Sequence, residues 1–142
     1  MTNLNKFDIA LSFAGEDRVY VEEVANLLTS QGVKVFYDKF EEASLLGKNL
    51  YDYLSEVYSD KALYTVMFIS KHYKEKVWTN LERQAMQSKA LREKGEYVLP
   101  VRFDDTEIPG LLPTVSYISL IEKSPNDLVE IICKKLSLKL ND

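Results

Sequence analysis

Trp78 and Glu82, in the stretch Trp78–Thr79–Asn80–Leu81–Glu82, suit a reaction on a ring-bearing substrate by residue type and interval. On a helix, residues four apart stand on one face about one turn from each other. The indole offers a flat surface to an aromatic or sugar ring. It also lowers the polarity around a neighbouring carboxylate, which favours a raised carboxyl pKa. The same interval fits a packing tryptophan beside a surface glutamate near the positive end of a helix. Spacing leaves both open, because any tryptophan followed four positions later by a glutamate satisfies it.

Other chemistries find less to work with. A dinucleotide-binding turn of the Rossmann kind needs closely spaced glycines between the first strand and its helix. Phe13–Ala14–Gly15–Glu16–Asp17–Arg18 offers one glycine and two acids, and no P-loop sequence occurs anywhere. A phospho-receiver needs a carboxylate at the end of its third strand, where this chain has Ile69–Ser70. His72 is the only histidine, has no cysteine near it, and reads as an exposed polar side chain rather than a base. The single cysteine, Cys133, excludes an intrachain disulfide, and with one histidine it excludes a zinc cluster. No metal site is expected, and a reducing compartment fits.

The elements that must position Trp78 and Glu82 alternate between two periods. Phe7 to Phe13 is a short apolar run that reads as a buried strand. Tyr20, Val21, Val24, Leu27 and Leu28 recur at helical spacing from Asp17 to Gln31, with Asp17 placed to cap that helix and Gly32 to end it. Val33–Tyr37 is the second strand, followed by a polar loop with Gly47 and a helix from about Lys48 to Tyr58. Tyr64–Ile69 is the third strand, and a long helix is expected from about Val77 to Glu93. Tyr97–Val101 and Val115–Leu120 are strands four and five. Ser124–Pro125 then opens a last helix with Leu128, Ile131, Ile132 and Leu136 on one face and Cys133 as an inert small core residue. Five strand–helix alternations predict an α/β fold, a flavodoxin-like five-stranded parallel sheet in the order 2-1-3-4-5 with helices on both faces. On such a sheet, ligands collect at the carboxyl ends of the strands.

At 142 residues, 46% of them hydrophobic, the chain suits one domain. No apolar run approaches the ~20 residues of a membrane helix, and MTNLNKFD lacks a signal-peptide core. The net charge is −4 and the densest basic stretch, Lys71 to Lys76, is interrupted by Glu75. That stretch reads as a solvated helix entry, so no nucleic acid is expected as a partner.

These segments together resemble the Toll/interleukin-1 receptor (TIR) domain family. FDIALSFAGEDR resembles its first signature, VFYDKFEEASLLGKNL its second strand and BB loop, and YVLPVRF its fourth strand. WTNLE is similar to the tryptophan–glutamate motif of the NAD-cleaving members, and bacterial TIR proteins are the nearest in pattern. The resemblance spans about Lys6 to Leu136, which implies a single TIR domain over residues 1–142, one that can serve as the catalytic part of a larger protein. Carried over by position, it implies Glu82 as the catalytic glutamate and Trp78 as a wall of the nicotinamide-ribose pocket. Ser12, Phe13 and Ala14 would line that pocket from the first strand and Tyr37 and Asp38 from the second, with Lys48 nearby. Where enzymatic animal relatives carry basic residues after the first-strand aromatic, this chain has Ala14–Gly15, which leaves phosphate recognition unexplained. The receptor-type Arg-Asp-x-x-Pro-Gly loop and the Phe-Trp box of adaptor TIRs are absent, which counts against an adaptor-only role.

The activity so implied is an NAD+ nucleosidase that releases nicotinamide and leaves ADP-ribose or a cyclic ADP-ribose isomer. NAD+ is then a substrate, no cofactor is required, and the location is cytoplasmic. Homotypic TIR–TIR assembly is expected through the loop Glu41–Leu46, which carries two exposed-looking leucines and could equally be a lid within one protomer. Two other functions share the fold: a TIR module that only pairs with other TIR domains, in signalling or in interfering with a host pathway, and a nucleotide sensor without turnover. The first would not need Glu82. The second would bind at Trp78 and produce no nicotinamide.

Overall fold

The structure, a computed structural model, describes residues 6–49, 53–54, 56–77, 98–108 and 115–140. Strand β1 (Phe7–Ser12) pairs in parallel with β2 (Val35–Phe36) on one side and β3 (Ala62–Ile69) on the other. β3 pairs onward with β4 (Val98–Arg102), which pairs with β5 (Ile118–Ser119). The order is therefore β2-β1-β3-β4-β5, all parallel, as the alternation of elements predicts. Side chains of a strand alternate between faces, and here both faces are covered. Tyr64, Val66 and Phe68 join a core with Val21, Val24 and Leu28 of α1 (Arg18–Ser30) and Leu128, Ile132 and Leu136 of α4 (Pro125–Leu140). Met67 and Ile69 face the other way, into a second core with Phe36, Tyr53, Val57, Tyr73 and Ile108.

Helix ends follow local chemistry. Gly32 has φ +84°, and it closes α1 with bonds from its own N–H to Thr29 O (3.0 Å) and from Val33 N–H to Leu28 O (3.1 Å). That paired pattern satisfies carbonyls the helix would otherwise leave open. α4 starts with a reciprocal cap: Ser124 Oγ accepts from Asp127 N–H (3.2 Å), and Asp127 Oδ2 accepts from Ser124 N–H (3.0 Å).

Several boundaries differ from the sequence-based expectation. The second strand narrows from Val33–Tyr37 to Val35–Phe36, because neighbouring backbone groups are engaged elsewhere: Val33 N–H in the helix stop, and Tyr37 O by Phe40 N–H (2.9 Å). Likewise the ladder of the fifth strand covers Ile118–Ser119 rather than Val115–Leu120. The expected loop after β2 contains a 3₁₀ turn (Asp38–Glu41) and a short helix, α2 (Glu42–Leu45). Lys48 lies in a turn rather than opening a helix, while Tyr53, Leu54 and Glu56 are helical and Val57–Lys61 forms a π-helical turn. α3 (Lys71–Lys76) fills the basic stretch, and the helix expected from Val77 to Glu93 lies, beyond Val77, outside the described residues.

Asp17 occupies the N-cap position of α1, but its side chain makes no capping bond to the helix. Its carboxylate accepts from Ser70 Oγ (2.7 Å) across 53 residues of sequence, so it ties the β1–α1 turn to the end of β3. His72 is half-buried rather than exposed, with Nδ1 3.6 Å from Glu16 Oε2. Cys133 is half-buried with Sγ 3.5 Å from Gln31 Oε1, and burial pushes its thiol pKa up, which keeps it in the unreactive protonated form.

A candidate substrate cleft above three strand ends

A cleft of about 230 Å³ opens at the carboxyl ends of β1, β2 and β3. Its floor is apolar, from Leu11 and Phe36, and its walls are Phe13, Gly15, Arg18, Asp38, Leu45, Leu54, Lys76 and Val77. Parallel strands place these residues together because each strand ends at the same edge of the sheet. Phe13 and Gly15 follow β1, Asp38 follows β2, and Lys76 and Val77 close α3 after β3.

Arg18 organises one wall. Its guanidinium donates from Nη1 to Asp38 Oδ1 (2.9 Å) and from Nη2 to Asp38 Oδ2 (2.8 Å), a planar fork matched to a carboxylate. Nη1 also donates to Tyr37 Oη (2.9 Å), and Tyr37 Oη donates to Glu22 Oε1 (2.9 Å). The same guanidinium lies 5.0 Å from the Phe13 ring centroid and 5.6 Å from that of Tyr37. These contacts have two electrostatic results. The Arg18 fork holds the Asp38 carboxyl below its ordinary range, and Arg18 itself is pushed further above neutrality. Burial raises the Tyr37 phenol, so it acts as a neutral link between Arg18 and Glu22.

Across the cleft, the Lys76 ammonium pairs with Glu16 Oε2 in the β1–α1 turn. That pairing lowers the Glu16 carboxyl pKa and raises that of Lys76. Behind this wall, Ser12 Oγ and Tyr73 Oη share a hydrogen bond of 2.8 Å, and Ser70 Oγ accepts from Tyr73 N–H (3.1 Å). Burial raises the Asp17 carboxyl even though the Ser70 bond opposes it.

Of the residues expected at the site, Phe13 and Asp38 line the cleft. Ser12, Ala14 and Tyr37 are buried, forming the layer on which the walls stand. Lys48 is exposed, with its ammonium 4.4 Å from the Tyr53 ring centroid. Trp78 and Glu82 lie outside the described residues, the first of them next in sequence to Val77. Gly15 and Arg18, within the first-signature stretch, and Lys76, two residues before Trp78, are wall residues that were not expected at the site. Arg18 was visible as a cation within the first motif and Lys76 as one beside WTNLE, but their partners sit 20 and 60 residues away. Among the described residues, no group of three His, Cys, Asp or Glu side chains could hold a metal ion. Nor is any helix among them long and apolar enough to cross a membrane.

The family model described as TIR domain matches residues 9–133. The chain belongs to the TIR domain family. Over 131 residues, 92% of its length, this TIR domain is 60% identical to the 3′ cyclic ADP-D-ribose synthase AaTIR of Aquimarina amphilecti. It is 32% identical over 97 residues, 68% of its length, to the NAD(+) hydrolase TcpA of Theionarchaea archaeon. The chain spans 40% of the first relative's length and 28% of the second's. Among solved structures it superposes on the TIR domain of the Toll-related receptor TRR-2 from Hydra magnipapillata with a TM-score of 0.68. That match covers 96% of this TIR domain and 99% of the receptor domain at 16% identity, a likeness of fold alone.

Proposed function

We propose that this TIR domain cleaves the nicotinamide–ribose bond of NAD+, with Glu82 as the catalytic glutamate and Trp78 as a wall of the pocket. The observation that carries this is the 60% identity to a 3′ cyclic ADP-D-ribose synthase. With 131 of 142 residues matched, residues 78–82 necessarily fall inside the matched span. The cleft supports the same conclusion: its wall reaches Val77, next in sequence to Trp78, and its aromatic and apolar lining suits a flat ring. About 230 Å³ lies below the ~300–1,000 Å³ of sites that enclose a whole drug-sized ligand. Among the described walls there is room for a ring and its sugar, with the rest of a dinucleotide towards the mouth.

In the mechanism, the C1′–N bond breaks with its electron pair passing to the nicotinamide ring nitrogen, which is already cationic and leaves without acid help. Positive charge develops on the ribose, and the Glu82 carboxylate stabilises it, as glycosidase carboxylates do for sugars. Water captures C1′ to give ADP-ribose, or a hydroxyl of the same molecule does so to give a cyclic isomer, and in both cases the attacking oxygen loses a proton. The identity to AaTIR favours the 3′ cyclic isomer. Phe13 and Asp38 form the walls. Ser12, Ala14 and Tyr37 support them from beneath, and Lys48 acts from the loop beside Tyr53. No cofactor is consumed, NAD+ being the substrate.

Residues of about 6–136 form the single working unit in this proposal, and the cytoplasm, where NAD+ is available and a lone thiol stays reduced, is the location. Homotypic assembly through the loop after β2 is part of the same proposal. On that loop Leu46 is 86% exposed and Phe40 43%, whereas Leu45 turns into the cleft wall.

The test is incubation with NAD+ followed by chromatography that resolves nicotinamide, ADP-ribose and the cyclic isomers. Glu82→Gln is expected to lower turnover by roughly 10²–10³, about 3–4 kcal/mol of transition-state stabilisation, with folding unchanged. Full activity in that variant overturns the catalytic assignment. No nicotinamide from the unaltered protein leaves a TIR–TIR interaction module instead.

A further inference from the structure

Among the described residues, three charged side chains line the cleft: Arg18, Asp38 and Lys76. The two cations differ in how firmly they are held. Arg18 gives two bonds to Asp38 and one to Tyr37, and two aromatic rings flank it. A planar guanidinium held by a fork and by stacking is costly to redirect. Among the described residues Lys76 pairs with Glu16, and its side chain is 59% exposed. Exposed pairs of this type are weak in water, so exchanging the partner costs little. Glu16 would not be left alone, because His72 Nδ1 stands 3.6 Å from the same carboxylate oxygen.

We propose that Lys76 leaves Glu16 on substrate entry and binds the diphosphate of the dinucleotide, with Glu16 as the competing anion that holds the ammonium at the cleft mouth in between. This rests on the dinucleotide assignment above and adds to it the residue that recognises the phosphates. An ammonium on a flexible stem is a point-charge phosphate binder that adapts to the position of the oxygens. Its place is apt: Lys76 is two residues before Trp78 and lines the same cleft as the Arg18–Asp38 pair. It also supplies a cation where the Ala14–Gly15 turn has none. In a chain of net charge −4, a polyanion needs such a local cation to enter.

The experiment measures KM for NAD+ and, separately, calorimetric binding of inorganic pyrophosphate, for the unaltered chain and for Lys76→Gln, Lys76→Arg, Glu16→Gln and the double variant. Lys76→Gln is expected to raise KM and weaken pyrophosphate binding roughly five- to tenfold with little change in kcat, and Lys76→Arg to restore both. Glu16→Gln is expected to move both the opposite way, towards tighter binding. That gain should vanish when Lys76 is already glutamine, since the two residues act as one pair. A purely structural tie predicts instead that both single variants lose in the same direction. That result, or pyrophosphate binding absent from the unaltered chain or indifferent to Lys76, overturns the proposal. Absence of nicotinamide release defeats the NAD+ assignment alone, because pyrophosphate binding is read without turnover.

Discussion

Removing the guanidinium of Arg18 would leave Asp38 a half-exposed carboxylate without its fork and Phe13 without its stacked neighbour. A partly exposed ion pair contributes up to about 1 kcal/mol and the cation–ring contacts about the same. Arg18→Ala should therefore lower stability by about 1–2 kcal/mol in denaturant melts, and Arg18→Lys should recover only part, since an ammonium cannot present two parallel donors. The pH dependence has a definite sign. Asp38 is ionised more readily folded than unfolded, because Arg18 bonds its charged form. Its contribution is present above the unfolded carboxylate value, about 3.9, and is lost as pH falls through the lower folded value. Arg18→Ala should flatten stability against pH in that acidic window. An unchanged acid limb would mean that the pair adds nothing to folding.

α4 shows what local chemistry contributes within one segment. Ser124 and Asp127 exchange side-chain-to-backbone bonds at its start, and Leu128, Val129, Ile132 and Leu136 bury its inner face. Ser124→Ala should cost about 1 kcal/mol, read as a lower melting temperature, with the NAD+ reaction unaffected because the cap lies away from the cleft walls. The Ser-Pro opening and the apolar spacing of α4 are readable from the sequence because both are local. Asp17 was misleading for the same reason. An acid just before a helix looks like a cap, and nothing nearby in sequence announces Ser70 as its partner. The edge strands were read too long because their apolar residues continue past the point where backbone hydrogen bonds turn to helix stops and loop turns.

For the molecule as a unit, the exposed Leu46 and half-exposed Phe40 lie on the loop that joins β2 to the helical turn around Tyr53. If that loop mediates assembly, nicotinamide release per molecule should rise with protein concentration, and Leu46→Glu should remove the rise. An exposed position changes stability by no more than about 0.5 kcal/mol, so loss of cooperativity would not reflect unfolding. Strictly linear activity would favour a lid within one protomer.

The sheet order, the strand-end location of the cleft and the TIR pattern were present in the amino-acid order, because hydrophobic period, crossover handedness and short motifs are properties of neighbouring residues. Which side chains face the cleft was present only in part. Of the motif residues, Phe13, Gly15, Arg18 and Asp38 line it while Ser12, Ala14 and Tyr37 lie buried beneath it, and Lys76 joins the lining from just before the WTNLE motif. Strand pleat, helix phase and ion pairing across 20 and 60 residues set those positions, and such contacts exist only once the three strand ends are side by side.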